Sequence, residues 1–207
     1  MVATHFILVR HGETAWNAEG VIQGQSDQPL SDAGRRQAEL VAARLGREPW
    51  ELIYTSDSGR AVETAQIIHA ARGGPDPLAS PELRERSMGD WEGLTREQVE
   101  QRHPQEYIAW ARDPGSAPPG GERTEQMAKR VTTFLQALVE HHPGGRLLLV
   151  THAGPIKAIA CAALGAPVAG QRIWTANGSI SRVKWDGEGL ALLGLNDRCH
   201  LAGEGER

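Results

Sequence analysis

Three short, almost wholly apolar runs constrain this chain more than any other feature: Phe6-Ile7-Leu8-Val9, Leu52-Ile53-Tyr54 and Leu147-Leu148-Leu149-Val150. A strand with one wet face alternates apolar and polar residues. A strand that is apolar on both faces must be covered on both, as in the middle of a parallel sheet. The segments between the runs have helical period, so helices do the covering, and the chain reads as an α/β layer fold with a mostly parallel sheet. Leu78 marks a weak fourth strand. Ile180 to Lys184 and Leu190 to Leu195 flank Asp186-Gly187-Glu188-Gly189 and read as an antiparallel hairpin.

The covering helices have recognisable ends. Ser31 is placed to cap one whose face carries Ala38, Val41, Ala42 and Leu45, with Gly46 at its stop. A second follows Tyr54 with Ala61, Ala65 and Ile68 on one side. The clearest period is Met127, Val131, Phe134, Leu135 and Leu138, closing before Pro143-Gly144-Gly145. Another helix is expected from Gly154-Pro155, proline being suited to a first turn. At 207 residues the chain is read as one domain spanning 1–207. Residues 83–121 break the alternation with many glycines, prolines and tryptophans, and are expected to form an insertion with one or two short helices over the site. Ala202 to Arg207 is small and charged, and is expected to fray.

Composition excludes some classes of function. A formal net charge of −4 disfavours a nucleic-acid or membrane-surface binder, so any cation-rich site must be local. Cys161 and Cys199 have no redox or zinc spacing and are expected to be free thiols. No secretory leader and no apolar run of membrane-spanning length is read, so a cytoplasmic location is the expectation. Pairing of two copies through an exposed edge strand, a homodimer, is left open.

In open α/β sheets, ligands gather at the carboxyl ends of the strands. Arg10-His11-Gly12-Glu13-Thr14 follows the first run, Thr55-Ser56-Asp57-Ser58-Gly59-Arg60 the second, and Thr151-His152-Ala153-Gly154 the third. Two histidines and two arginines therefore converge on one edge. A lone histidine there is more often structural and a lone arginine solvated; the conjunction is what points to an oxyanion site. Guanidinium forks suit phosphate, one histidine can attack phosphorus, and the other can donate to its equatorial oxygens. Such a set can carry phosphoryl transfer without metal or cofactor.

The same residues carry a family resemblance. Leu8-Val9-Arg10-His11-Gly12-Glu13-Thr14-Ala15-Trp16-Asn17 resembles the signature of the histidine phosphatase superfamily, also called phosphoglycerate mutase-like. The likeness continues at Gly24, at Pro29 to Gly34, at Ser56 to Ala65, at Leu83 to Gly93 and at Val150 to Gly154. It implies a three-layer α/β/α sandwich of phosphoglycerate mutase-like fold and a metal-independent phosphatase of the histidine acid phosphatase type, acting on small phosphate esters. His11 would be the nucleophile, with Arg10, Arg60 and His152 completing the phosphate pocket and Glu85 as proton donor. Asn17 would contact the phosphoryl group, and Thr14, Gln23, Gly24 and Ala153 would border the substrate.

A carboxyl at Glu85 makes chemical sense, because a leaving alkoxide needs a proton. The competing reading is a surface glutamate paired with Arg84 or Arg86. Trp16, Trp91 and Trp110 either admit an aromatic substrate or fill the core under the insertion. The alternatives are a phosphoglycerate mutase, a catalytically inactive phosphate-binding module, and a metallohydrolase using the two histidines. Mutases of the family usually carry a longer, more basic insertion. The short segment here, ending in Pro118-Pro119-Gly120-Gly121-Glu122, is closer to phosphatases.

Overall fold

Alternation along the strands decides the layers. In β1 (Thr4–Arg10), Phe6 and Leu8 belong to one buried cluster while Ile7 and Val9 belong to another. Between β1 and the fourth strand lie α1 (Ala15–Ala18), α2 (Asp32–Leu45), β2 (Leu52–Ser56), α3 (Gly59–Arg72), β3 (Leu78–Ser80), α4 (Arg96–Arg102), α5 (Pro104–Arg112) and α6 (Thr124–His141). In β4 (Arg146–Thr151) the same division recurs, with Leu147 and Leu149 on the first side and Leu148 and Val150 on the second. Helix α6 and α7 (Ala153–Ala163) cover the first side through Met127, Val131, Leu135, Ile156 and Ile159. Helices α2 and α3 cover the second through Val41, Leu45, Ala61, Ala65 and Ile68. The result is a three-layer α/β/α sandwich, as the apolar runs required. The structure, a computed structural model, describes residues 2–202, so the expected fraying beyond Ala202 lies outside the described residues.

Among the described residues the sheet has six strands in the order β3-β2-β4-β1-β5-β6, closed at one end by the hairpin of β5 (Ile180–Trp185) and β6 (Leu190–Asp197). Strands β1, β2, β3 and β4 run parallel, and β5 is antiparallel to both β1 and β6. In register, Arg10 lies opposite Thr151, so the residues that follow these strands, His11 and His152, leave the sheet side by side.

Local chemistry sets the helix ends. Ser31 Oγ accepts the Gly34 N–H at 3.0 Å, and Gly46 closes α2. Phe134 is only half buried, resting edge-on against Tyr54 with ring centroids 5.8 Å apart. Helix α7 starts earlier than expected, at Ala153. His152 is still extended (φ −124°, ψ 175°) and serves directly as its cap, so no loop separates strand from helix. Pro155 remains in the first turn, where its missing N–H costs nothing. Helix α1 was not expected: Thr14 and Asn17 form a capping box across four residues too few to show a period.

Candidate active site

Topology fixes where the site must lie. From β1 the chain crosses β4 to reach β2, whereas from β4 it crosses β1 to reach β5. The connections of these two neighbours diverge, which opens a crevice at their carboxyl ends. His11 projects into it, and His152 lies behind outside the cavity wall, with ring centroids 5.0 Å apart and planes at 62°. A cavity of about 660 Å³ opens there, and its wall includes Arg10, His11, Asn17, Gln23, Gly24, Arg60, Glu85 and Gly154.

The state of His11 follows from its partners. Its Nδ1 lies 2.7 Å from the Gly12 carbonyl oxygen, which can only accept, so Nδ1 carries the proton. Nε2 is then the lone-pair nitrogen, and it accepts from Arg60 Nε at 3.3 Å. Burial, followed by the positive charges of Arg60 and Arg10, pushes the imidazole well below its ordinary value. The ring is neutral at physiological pH, pinned at one nitrogen and nucleophilic at the other.

Arg60 and Arg10 flank it. Arg60 is almost fully buried and also donates to the Gly24 and Ser26 carbonyls at 2.8 Å each, drawing the 24–26 loop against α3. Arg10 donates to the Thr175 carbonyl, while its Nε is buried with no partner. Burial brings the Arg10 guanidinium down to about 10, partly opposed by Glu85, so it stays charged at neutral pH. His152 is fully buried behind His11, its Nε2 2.9 Å from Ser56 Oγ and its Nδ1 unpartnered. Burial and then Arg60 hold this imidazole far below its usual range as well.

Glu85 does not pair with Arg84 or Arg86 as a surface glutamate would. Arg84 forks onto Asp57 at 2.7 and 2.6 Å, and Arg86 spends its guanidinium on the Pro114, Ser116 and Glu122 carbonyls and on Thr124 Oγ1. Glu85 instead accepts backbone N–H groups, from Arg86 at 2.8 Å and from Gly154 at 3.1 Å. A Cβ at Gly154 would stand 2.1 Å from Glu85 Oε1, so only glycine lets the carboxylate dock on the first turn of α7.

The other expected residues divide. Asn17 borders the cavity with Oδ1 taken by Thr14 N–H at 3.1 Å, which leaves its amide nitrogen as the free donor. Gln23 and Gly24 are in the wall. Thr14 is fully buried, capping α1, and Ala153 opens α7; neither forms part of the wall. The tryptophans divide too: Trp91 is core, while Trp110 faces the cavity beside Tyr107, their rings stacked 6.3 Å apart.

Several supporting residues were not singled out from the sequence. Asn177 Nδ2 donates to the His11 carbonyl at 3.1 Å and to Asn17 Oδ1 at 3.2 Å. Glu92 receives Met88 N–H and Gln25 N–H, both at 2.9 Å, and Ser26 Oγ–H at 2.6 Å, joining the 24–26 loop to the 83–121 segment. Arg130 pairs with Glu122 at 2.9 Å and donates to the Glu82 carbonyl at 2.7 Å, fixing the turn that carries Glu85. The Asn-Gly turn before β5 was the one available signal for Asn177.

Comparison with known proteins identifies the family and the fold. The family model described as histidine phosphatase superfamily (branch 1) matches residues 6–198. The chain is 39% identical over 198 residues to phosphoglycerate mutase-like protein 4 of Arabidopsis thaliana, covering 94% of this chain and 86% of that one. It is 35% identical over 205 residues to a metal-independent phosphoserine phosphatase of the same plant, covering 98% and 85%. Among solved structures, Bacillus stearothermophilus YhfR superposes with a TM-score of 0.89 at 34% identity, covering 96% of this chain and 99% of that one.

Proposed function

The chain belongs to the histidine phosphatase superfamily, and we propose that it hydrolyses phosphomonoesters of small molecules through a phosphohistidine at His11, without a metal. The observation that carries this is the state of His11: neutral, Nδ1 tied to Gly12, and Nε2 carrying the lone pair beside two guanidinium groups.

In the first step Glu85 enters protonated: the Nε2 lone pair attacks phosphorus, the P–O ester bond breaks, and the leaving oxygen takes the Glu85 proton. Arg10, Arg60 and the amide of Asn17 hold the phosphoryl oxygens, and His152 donates from its unpartnered nitrogen as charge shifts onto them. In the second step Glu85, now a carboxylate, takes a proton from water. The water oxygen attacks phosphorus, the N–P bond breaks, and phosphate leaves. The whole chain acts as one such domain, with residues 83–121 covering the site and supplying Glu85. The mutase reading is weaker, because that segment amounts to two short helices and a single turn at Gly89–Trp91.

The test is mass spectrometry after a brief, acid-free quench with an aryl phosphate, with and without EDTA. A phosphate adduct on His11 is expected in both samples, and His11→Ala should remove adduct and turnover together. Turnover without an adduct, or turnover abolished by EDTA, would overturn the mechanism. Glu85→Gln should slow alkyl phosphates far more than aryl ones, which leave with little protonation; equal slowing would remove Glu85 as the acid.

A further inference from the structure

The two arginines of the pocket are held unequally. Arg60 donates to three acceptors, whereas the one described acceptor of the Arg10 side chain is the Thr175 carbonyl. Thr175 lies between α7 and β5, outside any helix or strand, so no ladder fixes that carbonyl. A peptide group is planar, and holding its N–H therefore holds its C=O. The N–H of the same peptide belongs to Ala176, and it donates to Asn196 Oδ1 at 2.8 Å. Asn196 and Arg10 thus grip opposite ends of one rigid plane.

An ordinary strand would not aim Asn196 there. It falls where the pairing of β6 with β5 slips: Ile180 lies opposite Asp197 and Arg182 opposite Gly194, one residue more on β6 than on β5. Among the described residues Asn196 is the one non-glycine with positive φ, at 57°, and its N–H goes to Ser181 Oγ at 3.1 Å. Asparagine tolerates this conformation better than most residues, and a bulge of this kind re-aims a side chain. His200, in the single turn Cys199–Leu201, braces the same stretch, its Nε2 donating to the Gly178 carbonyl at 2.9 Å.

Resting on the phosphatase reading above, we infer that Asn196 is a positioning residue, which fixes the Arg10 guanidinium for the phosphoryl group through the Thr175–Ala176 peptide. Asn196 is no part of the cavity wall and touches no substrate. Its hydrogen bond also polarises the peptide, which strengthens the carbonyl that receives Arg10.

The test is calorimetric titration with inorganic phosphate of the wild-type protein, Asn196→Gly and Asn196→Asp, each also in an Arg10→Ala background, alongside turnover of an aryl phosphate. Glycine keeps the positive φ and removes the acceptor. Asn196→Gly should therefore weaken phosphate binding about tenfold, the effect of misplacing one charge-assisted contact, and lower kcat/KM to match. Asn196→Asp keeps an oxygen in the same place and should retain most of the binding. With Arg10→Ala already present, Asn196→Gly should cost nothing further, because residues that act through one another do not add. Wild-type affinity in Asn196→Gly, or an equal loss in both backgrounds, overturns the assignment. Should Asn196→Gly not fold, Asn196→Asp decides, and binding as weak as in Arg10→Ala overturns it. Phosphate binding that depends on Asn196 while no ester is turned over, an aryl phosphate included, instead overturns the phosphatase reading and leaves the brace standing.

Discussion

Burial and Arg60 keep His11 and His152 both neutral, but different partners hold their rings. His11 gives its proton to a main-chain carbonyl, whereas His152 meets a hydroxyl, Ser56 Oγ, which can donate or accept. A fixed tautomer is what a nucleophile needs; adaptability is what a donor to moving charge needs. Asn177 belongs to the same device, because it grips the His11 carbonyl from outside the cavity wall. Asn177→Ala should lower kcat about tenfold through misplacement of the nucleophile and leave KM nearly unchanged. A rise in KM with unchanged kcat would show that Asn177 serves binding instead. At this scale the sequence is unevenly readable. Arg10, His11, Arg60 and His152 can be located because each follows an apolar run within a few residues. Asn177 cannot, because 166 positions separate it from His11 and only the pairing of β5 with β1 brings it there.

Among the elements, the loop after β1 is pressed against the start of α2 so closely that a glycine on each side meets the other segment's backbone. A Cβ on Gly12 would stand 2.3 Å from the Gly34 carbonyl oxygen, and one on Gly34 would stand 2.0 Å from that of Glu13. Gly34→Ala must therefore push α2 away from the loop that carries His11. Overpacking of this kind costs ~1–3 kcal/mol. A chain of this size loses ~2–4 °C of Tm per kcal/mol, so melting should fall by several degrees and kcat should drop with it. An unchanged Tm would mean the helix start gives way freely. The main helices and strands were legible because burial on one face or two leaves a period in the sequence. The 83–121 segment was legible as an interruption with one or two short helices, but not in its detail: α4 and α5 are short, and hydrogen bonds made by Arg86, Glu92 and Arg130 tie it down. Nothing periodic distinguishes Trp91, which fills the core, from Trp110, which faces the cavity.

For the whole molecule, the buried site makes stability depend on pH. His11 and His152 both have folded values well below 6.5, so the unfolded chain binds protons that the folded site refuses. Stability is then full above about pH 6.5 and falls as pH drops below it, by up to about 1.4 kcal/mol per pH unit for each histidine. His11→Asn should flatten the dependence of unfolding free energy on pH between 6.5 and 5, and an identical slope in the variant would show that His11 is not the group responsible. Catalysis should persist through the same interval, since the nucleophile stays unprotonated. The order of the strands has a further consequence. The two histidines follow neighbouring strands encoded far apart, and the loop behind one of them is tied down by Asn177, in the turn that leads into the last hairpin. Every side chain that the reaction uses precedes that hairpin, yet the His11 carbonyl is gripped only once β5 has paired with β1. Full turnover therefore waits on that pairing, and an activity assay on refolding protein reports it.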